Sequence, residues 1–324
     1  MKFSARLISF LLLLVSLSIS GVTLAQNPPR VSCPEAAKFY AKDSINIVTF
    51  GASTVEGVNG VGFQSMLKSN FENCYINKIV DITNQGIGGQ TTLQGLLRID
   101  NSVRDRTGFI VISMGINDAL AISNGRGSLA ESESNMRQLI TVSLKQNLIP
   151  IICTLQNVDD RNNAPLVAVN ANIRALNATY RRLVTEYKLY LADVNAAVRR
   201  DFSLYQDAFH PNARGYRLIS YVIFDAIYKA IFDKFLMFVV SQNYPNPAST
   251  QTSVDIVLPE TDKINIQIFD TMGRLVKTVV NEYLNTGKHT LEINTTSFTP
   301  GVYFFKITSD SGKYNSAKKF IVAR

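Results

Sequence analysis

Histidine is scarce in this chain. Only two, His210 and His289, occur among 324 residues, so histidine chemistry in the first two-thirds of the sequence has one candidate, His210. Cysteine is nearly as sparse, with Cys33, Cys74 and Cys153 alone. No cysteine or histidine spacing resembles a metal site, and neither a metal nor another cofactor is expected. The formal net charge is +8, yet the basic residues come as singles and pairs such as Arg181-Arg182, Arg199-Arg200 and Lys318-Lys319. Without a block of five or six like charges, a nucleic-acid footprint is not expected. A solvated basic surface is the plainer reading, with affinity for acidic polysaccharide or anionic lipid left open. Beyond the first residues there is no apolar run of the roughly 20 residues that a membrane span needs. The stretch from Ala230 to Val240 comes nearest and is interrupted by Asp233 and Lys234. Internal repeats and low-complexity tracts are also lacking.

The N-terminus has the parts of an export signal. Lys2 and Arg6 precede an apolar stretch from Leu7 to Ser20, and Thr23-Leu24-Ala25 offers a small-residue cleavage site. Residues 1–25 are therefore expected to be a signal peptide, with no lipobox cysteine at the cut. Export leads to an oxidising compartment. Cys153 ends the apolar run Ile149-Pro150-Ile151-Ile152 and is expected to be an inert core thiol. Cys33 and Cys74 precede the first two expected strands and either pair as a disulfide or stay reduced. The length favours two folded domains, and 46% hydrophobic content is ample for their cores.

From Ser44 to Tyr228, apolar runs alternate with helical periodicity. Strands are expected at 45–50, 76–80, 109–114, 149–154 and 189–194, with helices between them and a last helix opened by Pro211. Such alternation predicts a five-stranded parallel sheet covered on both faces, with a site beyond the carboxyl ends of its strands. After Val240 the pattern changes to short segments of alternating polarity separated by turn signals such as Pro259-Glu260, Met272-Gly273 and Pro300-Gly301. A small all-β sandwich is expected there, with its boundary at the Pro-rich piece Asn243-Tyr244-Pro245-Asn246-Pro247. The expected division is 26–240 for the first domain and 241–324 for the second.

Four motifs fall where such a sheet would deliver a site. They are Gly51-Ala52-Ser53-Thr54, Asn84-Gln85-Gly86-Ile87-Gly88-Gly89, Gly115-Ile116-Asn117-Asp118 and Asp207-Ala208-Phe209-His210. Together they supply a hydroxyl nucleophile, amide donors for an oxyanion, and an imidazole base with a carboxylate three residues before it. Acyl transfer needs these parts. Each has a plainer reading taken alone: Ser53 as a turn residue, Asn117-Asp118 as a helix N-cap, the glycines as a tight turn, and His210 as a surface side chain beside a capping Asp207. Four in this order are hard to explain that way.

On these motifs, the segment from Ser44 to Phe235 resembles the SGNH (GDSL-type) esterase and lipase superfamily, in its lysophospholipase-like branch. The resemblance implies a flavodoxin-like three-layer α/β/α sandwich. It implies Ser53 as nucleophile, His210 as base and Asp207 as its orienting carboxylate. Ser53, Gly89 and Asn117 would form the oxyanion hole. One departure is plain: the family's Gly-Asp-Ser is Gly51-Ala52-Ser53 here. The C-terminal segment resembles the sorting domain of type IX secretion cargo. The matching residues are Asn243 to Pro247, Leu258-Pro259-Glu260, Phe269-Asp270 with Gly273-Arg274, Gly301-Val302-Tyr303-Phe304 and Lys318 to Val322. This implies passage through the periplasm and the outer membrane, with the secretion machinery as a partner. The expectation is a secreted or cell-surface serine esterase, acting as a monomer on a lipid, lysophospholipid or acylated carbohydrate ester. The alternatives are a non-catalytic glycan- or lipid-binding protein on the same scaffold, and an acyltransferase using the same triad. The loops at 56–63, 119–127 and 156–164 hold few large apolar residues, which leans toward a short acyl group or a polar sugar ester.

Overall fold

The computed structural model describes residues 32–324, and the expected signal peptide at 1–25 lies outside the described residues. The chain runs β1 (Ser44–Gly51), α1 (Ser53–Glu56), α2 (Gln64–Cys74), β2 (Ile79–Gly86), α3 (Thr92–Leu96), α4 (Ile99–Val103), β3 (Phe109–Ser113), α5 (Ile116–Ser123), α6 (Leu129–Lys145), β4 (Ile149–Cys153), α7 (Pro165–Glu186), β5 (Tyr190–Ala192), α8 (Val194–Val198) and α9 (Ala213–Lys234). The first five strands form one parallel sheet in the order β2-β1-β3-β4-β5. This is the expected flavodoxin-like order, and its switch point lies at β1 and β3.

Alternation along the strands sends side chains to two apolar layers. Val48, Phe50, Ile110, Ile112 and Ile152 share one cluster with Ile99 of α4, Met136 and Leu139 of α6, and Ile173, Leu176 and Tyr180 of α7. Ile47, Val111 and Ile151 on the intervening positions are equally buried. Helices α2 and α9 meet through the Phe71 and Phe224 rings, 4.7 Å apart, and α9 packs on β4 and β5. Cys33 and Cys74 are joined in a disulfide, which ties the segment before β1 to the end of α2. Cys153 is buried and free, and burial pushes its thiol up to about 12.

The second strand departs from the expected 76–80. It starts at Ile79 and runs through Asn84, Gln85 and Gly86, pairing residue by residue with β1 from Ser44↔Ile79 to Gly51↔Gly86. In this edge strand only Val80 is fully buried, so its sequence carries little of the apolar signal that marks the inner strands.

The C-terminal part holds β6 (Val239–Val240), β7 (Gln251–Leu258), β8 (Asp262–Asp270), β9 (Leu275–Leu284), β10 (Gly287–Asn294), β11 (Gly301–Ser309) and β12 (Asn315–Val322). They form a three-stranded sheet, β10-β7-β6, and a four-stranded sheet, β12-β11-β8-β9, all antiparallel. Their inward residues, among them Val254, Ile256, Ile266, Ile268, Phe305 and Phe320, share one buried cluster, as sandwich packing requires. The two-residue strand β6 was not expected, being too short to show a period.

Candidate active site

The carboxyl ends of the central strands come to one level. Gly51 ending β1 is in register with Gly86 ending β2 and Ser113 ending β3. The segments that leave this edge carry Ser53, Gly89 and Asn117, as the sheet rule requires.

Ser53 is the first residue of α1. Ala52 occupies the N-cap position with a non-helical backbone and makes no side-chain cap bond. Its carbonyl accepts from the N–H of Val55 (3.0 Å) and Glu56 (2.9 Å). Buried Gln156 steadies the same turn by donating to Thr54 Oγ1 at 3.0 Å.

The Asn84–Gly89 segment passes close against this short helix. A Cβ on Gly86 would lie 2.1 Å from the Glu56 nitrogen, so only glycine fits there. Asn84 donates from Nδ2 to the Glu56 carbonyl (3.1 Å) and accepts from the Gly86 N–H (2.9 Å), which ties β2 to α1. Gly89 has φ +76° and open space beside it, so backbone conformation rather than crowding selects glycine.

Asn117 lies in the first turn of α5 and donates from Nδ2 to the Gln90 carbonyl at 3.0 Å. An amide has two such hydrogens, so one is left for the cavity that Asn117 lines. The plainer reading of Asn117-Asp118 as an N-cap is not realised, because Gly115 takes that position and no side chain caps α5. Asp118 is instead a buried anchor. It accepts from the Thr92 N–H (2.9 Å), the Thr92 hydroxyl and Ser132 Oγ (3.1 Å), joining α3, α5 and α6 behind the site. The hydroxyl of Tyr180, also buried, donates to the Met114 carbonyl at 2.8 Å and supports the loop between β3 and α5. Sequence reasoning missed both anchors, since a buried Asp and a helix Tyr carry no local sign of where they reach.

Asp207 and His210 lie in the loop before α9. The Asp207 carboxylate accepts from the N–H of Phe209 and of His210, both at 2.8 Å. It also accepts from His210 Nδ1, at 3.0 and 2.9 Å from its two oxygens. Burial by itself would raise the Asp207 carboxyl. The donated bonds from Phe209 and His210 outweigh that and hold it below the usual carboxylate range. Asn212 caps α9 by accepting from the N–H of Arg214 and Gly215, and its Nδ2 donates to the Ser203 and Tyr205 carbonyls, so the loop is pinned on both sides.

These pieces meet. His210 Nε2 lies 2.8 Å from Ser53 Oγ, across 157 residues of sequence. With Nδ1–H held on the carboxylate, Nε2 is left to accept the serine proton. Ser53, Gly89, Asn117 and His210 all line one cavity of about 270 Å³, whose other walls include Met114, Ile116, Leu120, Leu155 and Phe209. All five candidate residues are thus brought to one place. Among the described residues, no group of three or more His, Cys, Asp or Glu side chains could hold a metal ion.

Residues 49–218 match the GDSL-like lipase/acylhydrolase family, and residues 242–323 match the secretion system C-terminal sorting domain. No curated protein matches the chain. Among solved structures, a variant of an acetyl-xylooligosaccharide esterase from Geobacillus stearothermophilus superposes with a TM-score of 0.50 at 17% identity, covering 59% of this chain and 96% of its own. A member of the lipolytic G-D-S-L family from Veillonella parvula gives a TM-score of 0.47 at 21% identity, covering 56% of this chain and 97% of its own. At these identities the likeness is one of fold. The family match spans more than half of the sequence and contains every candidate site residue. The chain belongs to the GDSL-like lipase/acylhydrolase family and ends in a secretion system C-terminal sorting domain.

Proposed function

We propose that this chain is a serine hydrolase of carboxylic acyl esters, working through an acyl-enzyme on Ser53. The observation that carries the reading is the continuous relay from Asp207 through His210 to Ser53, opening on a cavity shared with Gly89 and Asn117. Ser53 Oγ attacks the ester carbonyl while its proton passes to His210 Nε2. The N–H groups of Ser53 and Gly89 and the Asn117 amide hold the oxyanion. Collapse breaks the bond to the alcohol, which leaves with the proton from His210. Water, deprotonated by the same imidazole, then attacks the acyl-enzyme and releases the acid.

The cavity walls favour an aliphatic acyl group. The cavity of about 270 Å³, walled by Met114, Ile116, Leu120 and Leu155, has room for acyl groups from acetyl to a medium chain. A more polar cleft includes Asp207 itself, with Asp159, Arg161, Asn162, Asn163 and Gln206 beside the Phe202 and Tyr205 rings, and suits a polar alcohol such as a sugar. An acylated carbohydrate therefore fits better than a lysophospholipid. The Geobacillus fold relative bears an acetyl-xylooligosaccharide esterase name, which is compatible with that choice. We propose that residues 26–240 carry the chemistry, as a monomer, and that 241–324 serve export. The sorting domain itself marks the protein for type IX secretion across the outer membrane and for contact with that machinery.

The test is hydrolysis of nitrophenyl esters from acetyl to dodecanoyl by the mature protein beside Ser53→Ala. Turnover that vanishes in the variant supports the reading. No turnover in the wild type, with no phosphonate labelling of Ser53, would favour a binding protein. Transfer to an added alcohol in preference to water would favour an acyltransferase.

A further inference from the structure

Arg98 was not among the candidate residues, yet its side chain reaches into the frame of the site. It sits between α3 and α4 with its guanidinium over the ring of Phe50, 4.1 Å from the centroid. One terminal nitrogen donates to the Gly51 carbonyl at 3.0 Å, and Nε donates to Gln90 Oε1 at 2.7 Å. Gly51 ends β1 two residues before Ser53, and Gln90 follows Gly89. The backbone carbonyl of Gln90 in turn accepts from Asn117 Nδ2. One side chain thus touches the residue next to, or one removed from, two of the oxyanion donors, and reaches the third through Gln90. Among the described residues, no carboxylate forms an ion pair with Arg98. Taking a cation partly out of water without a counter-ion is costly, so the arrangement needs another rationale than an ion pair.

We propose that Arg98 is a positioning residue for the reaction, clamping the serine turn to the oxyanion loop so that Ser53, Gly89 and Asn117 stay in one frame. The inference rests on the serine-hydrolase reading. Ala52 gives α1 no side-chain cap, so the turn lacks a restraint from that position, and the Arg98 bond to Gly51 restrains it from below. The planar fork matters as well as the charge, because the Gly51 and Gln90 acceptors lie in different segments, while the other terminal nitrogen donates to Ser102 Oγ of α4 at 3.4 Å. A positive charge held on Gly51 and Gln90, the neighbours of the donors, also favours an oxyanion over a neutral carbonyl.

The experiment compares wild type, Ser53→Ala, Arg98→Lys and Arg98→Met on a nitrophenyl ester, with melting temperatures. It adds inhibition by a trifluoromethyl ketone, which forms an oxyanion on the serine. Arg98→Met should lower kcat by about 10²-fold and leave KM within about threefold, the pattern of an interaction made in the transition state. The inhibition constant should rise in step with the loss of kcat/KM. Arg98→Lys should recover only part of the rate. An unchanged kcat, or a rise in KM alone, in a folded Arg98→Met protein would overturn the proposal. If Arg98→Met does not fold, Gln90→Leu cuts the bond to Gln90 Oε1 and keeps the charge and the bond to Gly51. About a tenfold loss of kcat is then expected, and an unchanged kcat overturns the clamp. Turnover surviving in Ser53→Ala would sink the serine reading and this inference together. Loss in Ser53→Ala with normal Arg98 and Gln90 variants would sink this inference alone.

Discussion

Replacing Asp207 by asparagine isolates what the carboxylate does for His210. In the native loop, one carboxylate oxygen takes two backbone N–H groups and both oxygens face Nδ1. An asparagine oxygen can keep the backbone bonds, so the loop is held. The NH₂ then replaces the other oxygen and presents a hydrogen to Nδ1. The imidazole must answer by accepting there, which moves its own proton to Nε2, facing Ser53 Oγ. In that tautomer it cannot take the serine proton. The same change at a buried triad costs about 10⁴ in kcat. Here the Asp207 side chain is 48% exposed, so water can partner Nδ1 part of the time. The expected loss is therefore about 10³-fold, or roughly 4 kcal/mol in the barrier. KM for a nitrophenyl ester should stay nearly constant, since Asp207 lies outside the apolar acyl cavity and the polar cleft it helps to line is left for a sugar alcohol. The assay is kcat on a nitrophenyl butyrate ester, with circular dichroism showing that the loop substitution leaves the fold intact. A loss below tenfold in a folded protein would refute the tautomer argument.

Cys33→Ser with Cys74→Ser removes a cross-link across a sequence separation of 41 residues, and should cost about 3–4 kcal/mol in denaturant unfolding, mostly through the unfolded chain. Leu120→Trp fills the cavity beside Asn117 and should lower kcat/KM for an octanoyl ester by about tenfold or more while sparing the acetyl ester, a difference of one or more buried methylenes. Equal losses for both esters would show that Leu120 does not line the acyl site. Acid should destabilise the fold below about pH 4. Burial would raise Asp193, but Thr154 and Arg181 pull it below the usual range, and Asp160 is lowered by Arg200 and Asn170. Depressed carboxylates stabilise fully above their unfolded value, and that contribution is lost as pH falls through the folded one. A circular-dichroism titration that stays flat to pH 2 would contradict this.

Much of the fold was written in local pattern. The inner strands β1, β3 and β4 are buried on both faces and read as apolar runs, broken in β1 only by Asn46 and Thr49, and the long helices α6, α7 and α9 carry their buried residues at helical spacing. Asp207 and His210 were legible as a pair because three residues separate them and the contact is made within one loop. The polar edge strand β2 was less legible, since little of it is buried.

The sequence by itself determined the order of strands and helices, the two kinds of architecture, and which polar residues follow which strand, because periodicity and turn chemistry act over neighbouring residues. Only the tertiary structure decided that Ser53 and His210 stand 2.8 Å apart, that Met114, Leu120 and Leu155 wall one cavity, and that Arg98 spans Gly51 and Gln90. Those contacts join segments far apart in the chain. Packing of the sheet edge against its helices creates them, and no local spacing records which distant residues that packing will bring together.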